Sequence, residues 1–208
     1  AINKTVTDVV PQYISNFSFT DHVVSLLVGD VQSGKTSHMF GLMCAAADES
    51  FMNFVLLTTD NVLLQQQTYQ RAQRDLCDFC VCDENDYLKF VDNNLRKPAV
   101  IILKKNSSVL RRWKNNFSST NFCAGNPLFI VDDEADAASL NTQVNKNKQS
   151  TINKNLEAIK KTTSSSIYME VTGTPQSILL QTAKSGWKPY FIYYFNCLLY
   201  TSPSPRDS

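Results

Sequence analysis

The sequence predicts an α/β protein: a mostly parallel β-sheet covered by helices on both faces. Three observations carry that expectation. Residues 29–36 spell G-x-x-x-x-G-K-[ST] directly after an apolar run, strand-like runs alternate with helix-like ones along the chain, and a second apolar run at 128–131 ends in a cluster of carboxylates.

The first strand is His22-Val23-Val24-Ser25-Leu26-Leu27-Val28, and it delivers the loop Gly29, Asp30, Val31, Gln32, Ser33, Gly34, Lys35 and Thr36. A phosphate loop needs this order, because a buried strand must feed a turn whose backbone N–H groups and following helix N-terminus point at the anion. Gly29 and Gly34 permit the tight turn and the close approach of backbone to phosphate. Lys35 is placed to reach the β- and γ-phosphates and Thr36 to offer its hydroxyl to Mg²⁺, so ATP and Mg²⁺ are the expected ligands. Residues 37–47 supply the helix.

Residues 54–58 read as a second strand and 62–76 as a helix rich in Leu and Gln; 99–103 is a strand and 109–117 a helix. A basic stretch, Lys104, Lys105 and Asn106 through Lys114, follows that strand end. It reads equally as a nucleic-acid-contacting loop and as a solvated face.

Leu128-Phe129-Ile130-Val131 then runs into Asp132-Asp133-Glu134-Ala135-Asp136, the pattern of a Walker B strand. An acid at a buried strand end can hold Mg²⁺, and its neighbour can polarise the water that attacks the γ-phosphate. Asp133 is the candidate for the metal and Glu134 for the base, with Asp132 as the alternative metal ligand. The polar stretch 141–155 reads as a mobile loop, with a helix starting near 151 or 152 and running to about 161. The strand 166–172 follows and ends in the turn Thr172, Gly173, Thr174 and Pro175. In two-lobed helicases a turn of this kind links the nucleotide site to the nucleic-acid path.

Taken together, Val31-Gln32-Ser33-Gly34-Lys35-Thr36, the string from Val131-Asp132-Asp133-Glu134-Ala135-Asp136 to Asn141-Thr142, and Val171-Thr172-Gly173-Thr174-Pro175-Gln176 resemble the Z-one domain family. That family carries an endonuclease label and belongs to bacterial and phage restriction-like systems. The resemblance runs over residues 23–180. It implies a RecA-like P-loop NTPase lobe, the first of a two-lobed superfamily-two helicase-like ATPase that acts on DNA beside methyltransferases, nucleases or GHKL-type ATPases in defence loci. Thr58, Thr59, Lys104, Lys105 and Asn106 become the nucleic-acid candidates under this resemblance, and the compartment it implies is a bacterial or phage-infected cytoplasm. Nothing in the residues forms a nuclease site. Two other readings remain: a nucleotide-dependent switch that controls assembly of a defence complex without translocation, and a P-loop kinase or GTPase. The acid pair has no role in a kinase, and the guanine-binding Asn-Lys-x-Asp tetrad is absent from any strand.

The tail from Cys197 to Asp207 resembles a translated sequencing adapter. The expectation is therefore a lobe over 1–196 and a non-native tail over 197–208, with a second lobe encoded beyond. At 208 residues and 43% hydrophobic content the chain can bury an ordinary core without disulfides. Twenty basic against 19 acidic side chains exclude a global electrostatic argument for nucleic acid. No apolar run reaches the ~20 residues of a membrane span, and the six cysteines fit a reducing cytosol. Cys77, Cys80 and Cys82 have zinc-like spacing but no local fourth ligand, and His22 and His38 read as packing or surface residues.

Overall fold

The computed structural model describes residues 2–29, 34–133, 143–173 and 188–195. In chain order its elements are α1 (Ile2–Val9), a π-helical turn (Val10–Ile14), β1 (His22–Gly29), α2 (Lys35–Asp48), β2 (Asn53–Thr58), α3 (Val62–Asp75) and β3 (Cys80–Cys82). They continue through α4 (Tyr87–Asn93), β4 (Ala99–Lys104), α5 (Ser107–Ser118), β5 (Leu128–Asp133), α6 (Gln143–Lys160), β6 (Ser166–Thr172) and β7 (Ile192–Phe195). The strands form a seven-stranded sheet in the order β3-β4-β2-β5-β6-β1-β7, and every pairing is parallel.

Period-two alternation divides the core between the two faces of this sheet. Phe54, Leu56, Phe129, Val131, Ile167 and Met169 face α1, α2 and α3, where Val9, Met39, Leu42, Met43 and Ala72 complete one buried cluster. Val55, Leu57, Leu128, Ile130 and Tyr168 face the other way, against Phe90 of α4, Leu110 and Trp113 of α5, and Leu156 and Ile159 of α6. Strands buried on both sides explain why β2 and β5 read as continuous apolar runs rather than alternating ones. Trp113 is fully buried and its indole N–H donates to the Glu84 carbonyl at 2.9 Å, which fixes α5 against the turn before α4.

Side chains cap the helices at the carboxyl edge of the sheet. The Asn61 Oδ1 accepts from Leu63 and Leu64 N–H and starts α3, while the Asn106 Oδ1 accepts from Ser108 and Val109 N–H and starts α5.

The stretch expected to be a mobile loop belongs largely to a helix, since α6 begins at Gln143 rather than near 151. Ile152, Leu156 and Ile159 recur at helical spacing and dock on the α5 side of the sheet, and the Asn155 side chain donates to the Ser107 carbonyl at 3.1 Å. With no Gly or Pro between 143 and 160, a helix anchored by that stripe can propagate back to Gln143. Five elements had no counterpart among the sequence expectations: α1, the π-helical turn, β3, α4 and β7. The three-residue β3 and four-residue β7 are edge strands, too short to give a periodic signal. Among the described residues, no helix is long and apolar enough to cross a membrane.

Candidate nucleotide site at the carboxyl edge of the sheet

Parallel strands bring Gly29, Thr58, Lys104, Asp133 and Thr172 to the same edge, because each closes its strand. The chain leaving β1 enters α2 on one face of the sheet, and the chain leaving β5 enters α6 on the other. A crevice between connections that diverge in this way is where open α/β sheets bind ligands.

On the β1 side, Gly34 has φ +78° and ψ 31° and stands immediately before α2. This left-handed conformation is open to glycine at little cost, and it lets the Gly34 carbonyl accept from Ser37 N–H at 2.9 Å as the helix begins. Lys35 and Thr36 are half-buried in the first turn of α2. Asp30, Val31, Gln32 and Ser33 lie outside the described residues. The α2 N-terminus is tied to its neighbours from behind: the Ser37 hydroxyl accepts from Arg71 Nη2 at 3.0 Å, and His38 is buried with Nδ1 2.8 Å from the Thr5 hydroxyl. Burial lowers the His38 pKa.

On the β5 side, alternation assigns the two consecutive aspartates to opposite faces. Asp133 follows Phe129 and Val131 in parity and so shares the face of α2, whereas Asp132 follows Leu128 and Ile130. Asp132 is buried and both of its oxygens are engaged: Oδ1 accepts from Lys105 Nζ at 2.7 Å and Oδ2 from the Tyr168 hydroxyl at 2.6 Å. Burial, with Asp132 adjoining, pushes the Tyr168 hydroxyl well above its ordinary pKa, so it stays a donor. Glu134 lies outside the described residues, as do Thr174 and Pro175; Thr172 is buried at the end of β6 and Gly173 half-buried. Between β1 and β5 runs β6, so the turn that begins at Thr172 leaves the sheet between the phosphate loop and the acid strand.

The nucleic-acid candidates form a second group at the same edge, at the ends of β2 and β4. Thr58 is buried, and its carbonyl accepts from Lys105 N–H at 2.8 Å. Thr59 is half-buried. Lys104 pairs with Glu84 at 3.3 Å, the Lys105 ammonium turns back to Asp132, and the Asn106 amide donates to both Asp60 oxygens at 3.3 Å. The Lys105 side chain is only 16% exposed, which sets it apart from the solvated basic face one reading of the sequence expected.

Two residues that sequence reasoning passed over belong to this region. Tyr168 and Glu170 sit on β6, paired in register with β5, where Asp132 lies opposite Glu170. Their signal was present as polar residues at positions of a buried strand, but only the β5–β6 pairing says what they face. Burial, and secondarily Asp132, raises the Glu170 pKa to about 7, against the relief given by Lys160 and Lys105. Its ordinary value is 4.5, so between pH 4.5 and 7 the folded chain holds a proton that the unfolded chain has lost. This contribution to stability is whole below pH 4.5 and is lost as pH rises to about 7. Glu170→Gln is therefore expected to be more stable than wild type by about 3 kcal/mol at pH 8 and no more stable at pH 4. Urea denaturation at the two pH values measures the difference, and a gap of equal size at both would remove the assigned cause.

No protein-family model matches this chain, and no curated protein sequence does. Among solved structures it is similar to the Hef helicase domain of Pyrococcus furiosus, with a TM-score of 0.49 and 16% identity over 84% of this chain and 35% of that one. It is also similar to a second solved structure, an ATPase domain, with a TM-score of 0.41 and 13% identity over 72% of this chain and 57% of that one. The chain thus spans less than two thirds of either structure. Its own strand order and two-faced helical cover place it in the α/β class, with a RecA-like fold.

Proposed function

We propose that this chain is the first lobe of a helicase-type ATPase that binds Mg-ATP at the carboxyl edge of its sheet and couples hydrolysis to movement on, or remodelling of, DNA. One observation carries the reading. The left-handed Gly34 opens α2 at Lys35 and Thr36, and Asp133 closes β5 on the same face of the sheet, with one strand between the two. That spacing suits a metal held between the Thr36 hydroxyl and the Asp133 carboxylate, with Lys35 over the phosphates and Glu134 acting on the attacking water. Asp132 points to the face opposite α2, which favours Asp133 over Asp132 as the metal ligand.

The chain's own residues would do three things. Backbone N–H groups of the glycine-bracketed loop and the α2 N-terminus hold phosphate oxygens, Lys35 neutralises charge that builds on the γ-phosphoryl, and Glu134 takes a proton from water. A Mg²⁺ held by Thr36 and Asp133 would supply positive charge to the phosphates. Polynucleotide contacts are assigned to the ends of β2 and β4, around Thr58, Thr59, Lys104 and Asn106, since these share the edge with the nucleotide site. Within the same proposal the chain is placed in the Z-one family, chiefly on the string from Asp132 to Thr142, and its setting is a restriction or phage-defence system.

The test is DNA-stimulated phosphate release by the complete protein. Glu134→Gln is expected to bind ATP with wild-type affinity and to hydrolyse it at least ~10²-fold more slowly, the size typical of a lost general base. Turnover at the wild-type rate in this variant would overturn the assignment of the base. ATP turnover that ignores DNA would leave a nucleotide switch in place of a translocase.

A further inference from the structure

An ion pair between buried Asp132 and part-buried Lys105 stands directly behind the proposed metal carboxylate. Asp132 is 6% exposed and precedes Asp133 in a strand whose four preceding residues are all buried hydrophobics. An apolar side chain would fill this position at lower desolvation cost, because buried ion pairs contribute little stability beyond a well-packed hydrophobic replacement. The pair therefore calls for a reason other than stability, and the hydrogen bonds around Lys105 supply one.

Lys105 is the first residue beyond β4. Its backbone N–H donates to the Thr58 carbonyl at the end of β2. Its ammonium donates to Asp132 Oδ1 at 2.7 Å and lies 3.4 Å from the carbonyl oxygen of Asp133 itself. From the other side the Tyr168 hydroxyl of β6 donates to Asp132 Oδ2. One lysine thus connects the ends of β2, β4 and β5, and the Asp132 carboxylate extends the connection to β6. The ends of β2, β4 and β5 lie at the edge where Asp133 would present its carboxylate, and Tyr168 anchors Asp132 from within β6, four residues before that strand ends.

We propose that Lys105 is a positioning residue: by holding Asp132 and the Asp133 carbonyl, it fixes the end of β5 so that the Asp133 carboxylate meets the Mg²⁺ of a bound nucleotide. This rests on the nucleotide-site reading above and assigns Lys105 a role different from contact with a nucleic-acid phosphate. An ammonium committed to a buried carboxylate cannot leave for a polynucleotide without stranding Asp132. Groups that orient a metal ligand from behind commonly change metal affinity by ~10- to 100-fold when removed.

The experiment is a Mg²⁺ titration of ATP binding to this chain, followed by calorimetry. Wild type must first show Mg²⁺-dependent binding; if it shows none, the nucleotide-site reading has failed before any variant is examined, and this proposal with it. The Lys105→Met/Asp132→Leu double variant replaces the pair by apolar groups and should stay folded, with its melting midpoint lowered only by the acceptor that the buried Tyr168 hydroxyl loses. We expect its half-saturating Mg²⁺ concentration to rise on the order of 10-fold. Tyr168→Phe, which leaves the Lys105–Asp132 bond intact, should keep a midpoint close to that of wild type. A folded double variant with an unchanged Mg²⁺ midpoint overturns the proposal, and so does an equal shift in Tyr168→Phe. Should the double variant fail to fold, Lys105→Arg keeps the charge and moves the donors; a raised Mg²⁺ midpoint supports the role and an unchanged one overturns it.

Discussion

Lys35→Ala is expected to weaken Mg-ATP binding on the order of 100-fold while leaving the fold intact. Lys35 opens α2 directly after the left-handed Gly34 and is half-buried at the edge where β1 and β5 end. A charge-assisted hydrogen bond is worth ~1.5–3 kcal/mol, and each ~1.4 kcal/mol is tenfold in affinity. Alanine has at least the helix propensity of lysine, so α2 itself should not suffer. Isothermal titration of both proteins with ATP and Mg²⁺, alongside their thermal melts, checks the two halves of the statement. Equal affinities would remove the phosphate-loop assignment, and a collapsed melt would mean that Lys35 is structural.

The second large effect is expected at Gly29, where the strand meets the loop. A Cβ built there would lie 2.1 Å from Phe195 Cζ and within 2.6 Å of both neighbouring ring carbons. Phe195 is 5% exposed and its ring stacks on His38 with centroids 3.9 Å apart, so it has little room to move aside. Gly29→Ala should therefore cost about 1–3 kcal/mol, the usual range for overpacking, and disturb the start of the phosphate loop. Chemical denaturation of Gly29→Ala, Phe195→Ala and the double variant isolates the cause. The expected result is strong non-additivity, with Gly29→Ala nearly neutral once the ring is gone. Additive costs would show that Phe195 is not the obstacle.

These two residues differ in how they could be found. Lys35 is legible from the sequence, since a phosphate loop between an apolar run and a helix names its lysine by position. Gly29 is legible as a turn glycine, but the stronger reason for it is an aromatic ring far along the chain, brought beneath it by the β1–β7 pairing of Gly29 with Phe195. Local pattern reports backbone need, and long-range pairing adds steric need.

The same division runs through the fold and the site. Apolar runs longer than a turn identified β1, β2, β4, β5 and β6, and the helices that follow β1, β2 and β4 were placed to within a few residues. Short edge elements escaped, because three or four residues carry no period. The polar residues of α6 were assigned to a loop because composition alone does not show that three apolar positions suffice to dock a helix.

By itself the sequence determined the α/β class, the strand and helix on either side of the glycine-bracketed segment 29–34, and the acid-bearing strand end, because these depend on residue type and spacing within single segments. Only the tertiary structure decided which aspartate faces which way. Asp132 and Asp133 are adjacent and chemically identical, and alternation along a strand sends one toward α2 and the other toward Tyr168 and Lys105. Which of those faces carries the helix of the phosphate loop is set by the direction in which the chain crosses the sheet. Strand order likewise placed β6 between β1 and β5 and set Glu170 opposite Asp132, where burial and a neighbouring carboxylate shift its titration to about 7. Pairing between distant strands has no local signature, since the energy that selects it comes from burying both faces of the assembled sheet at once.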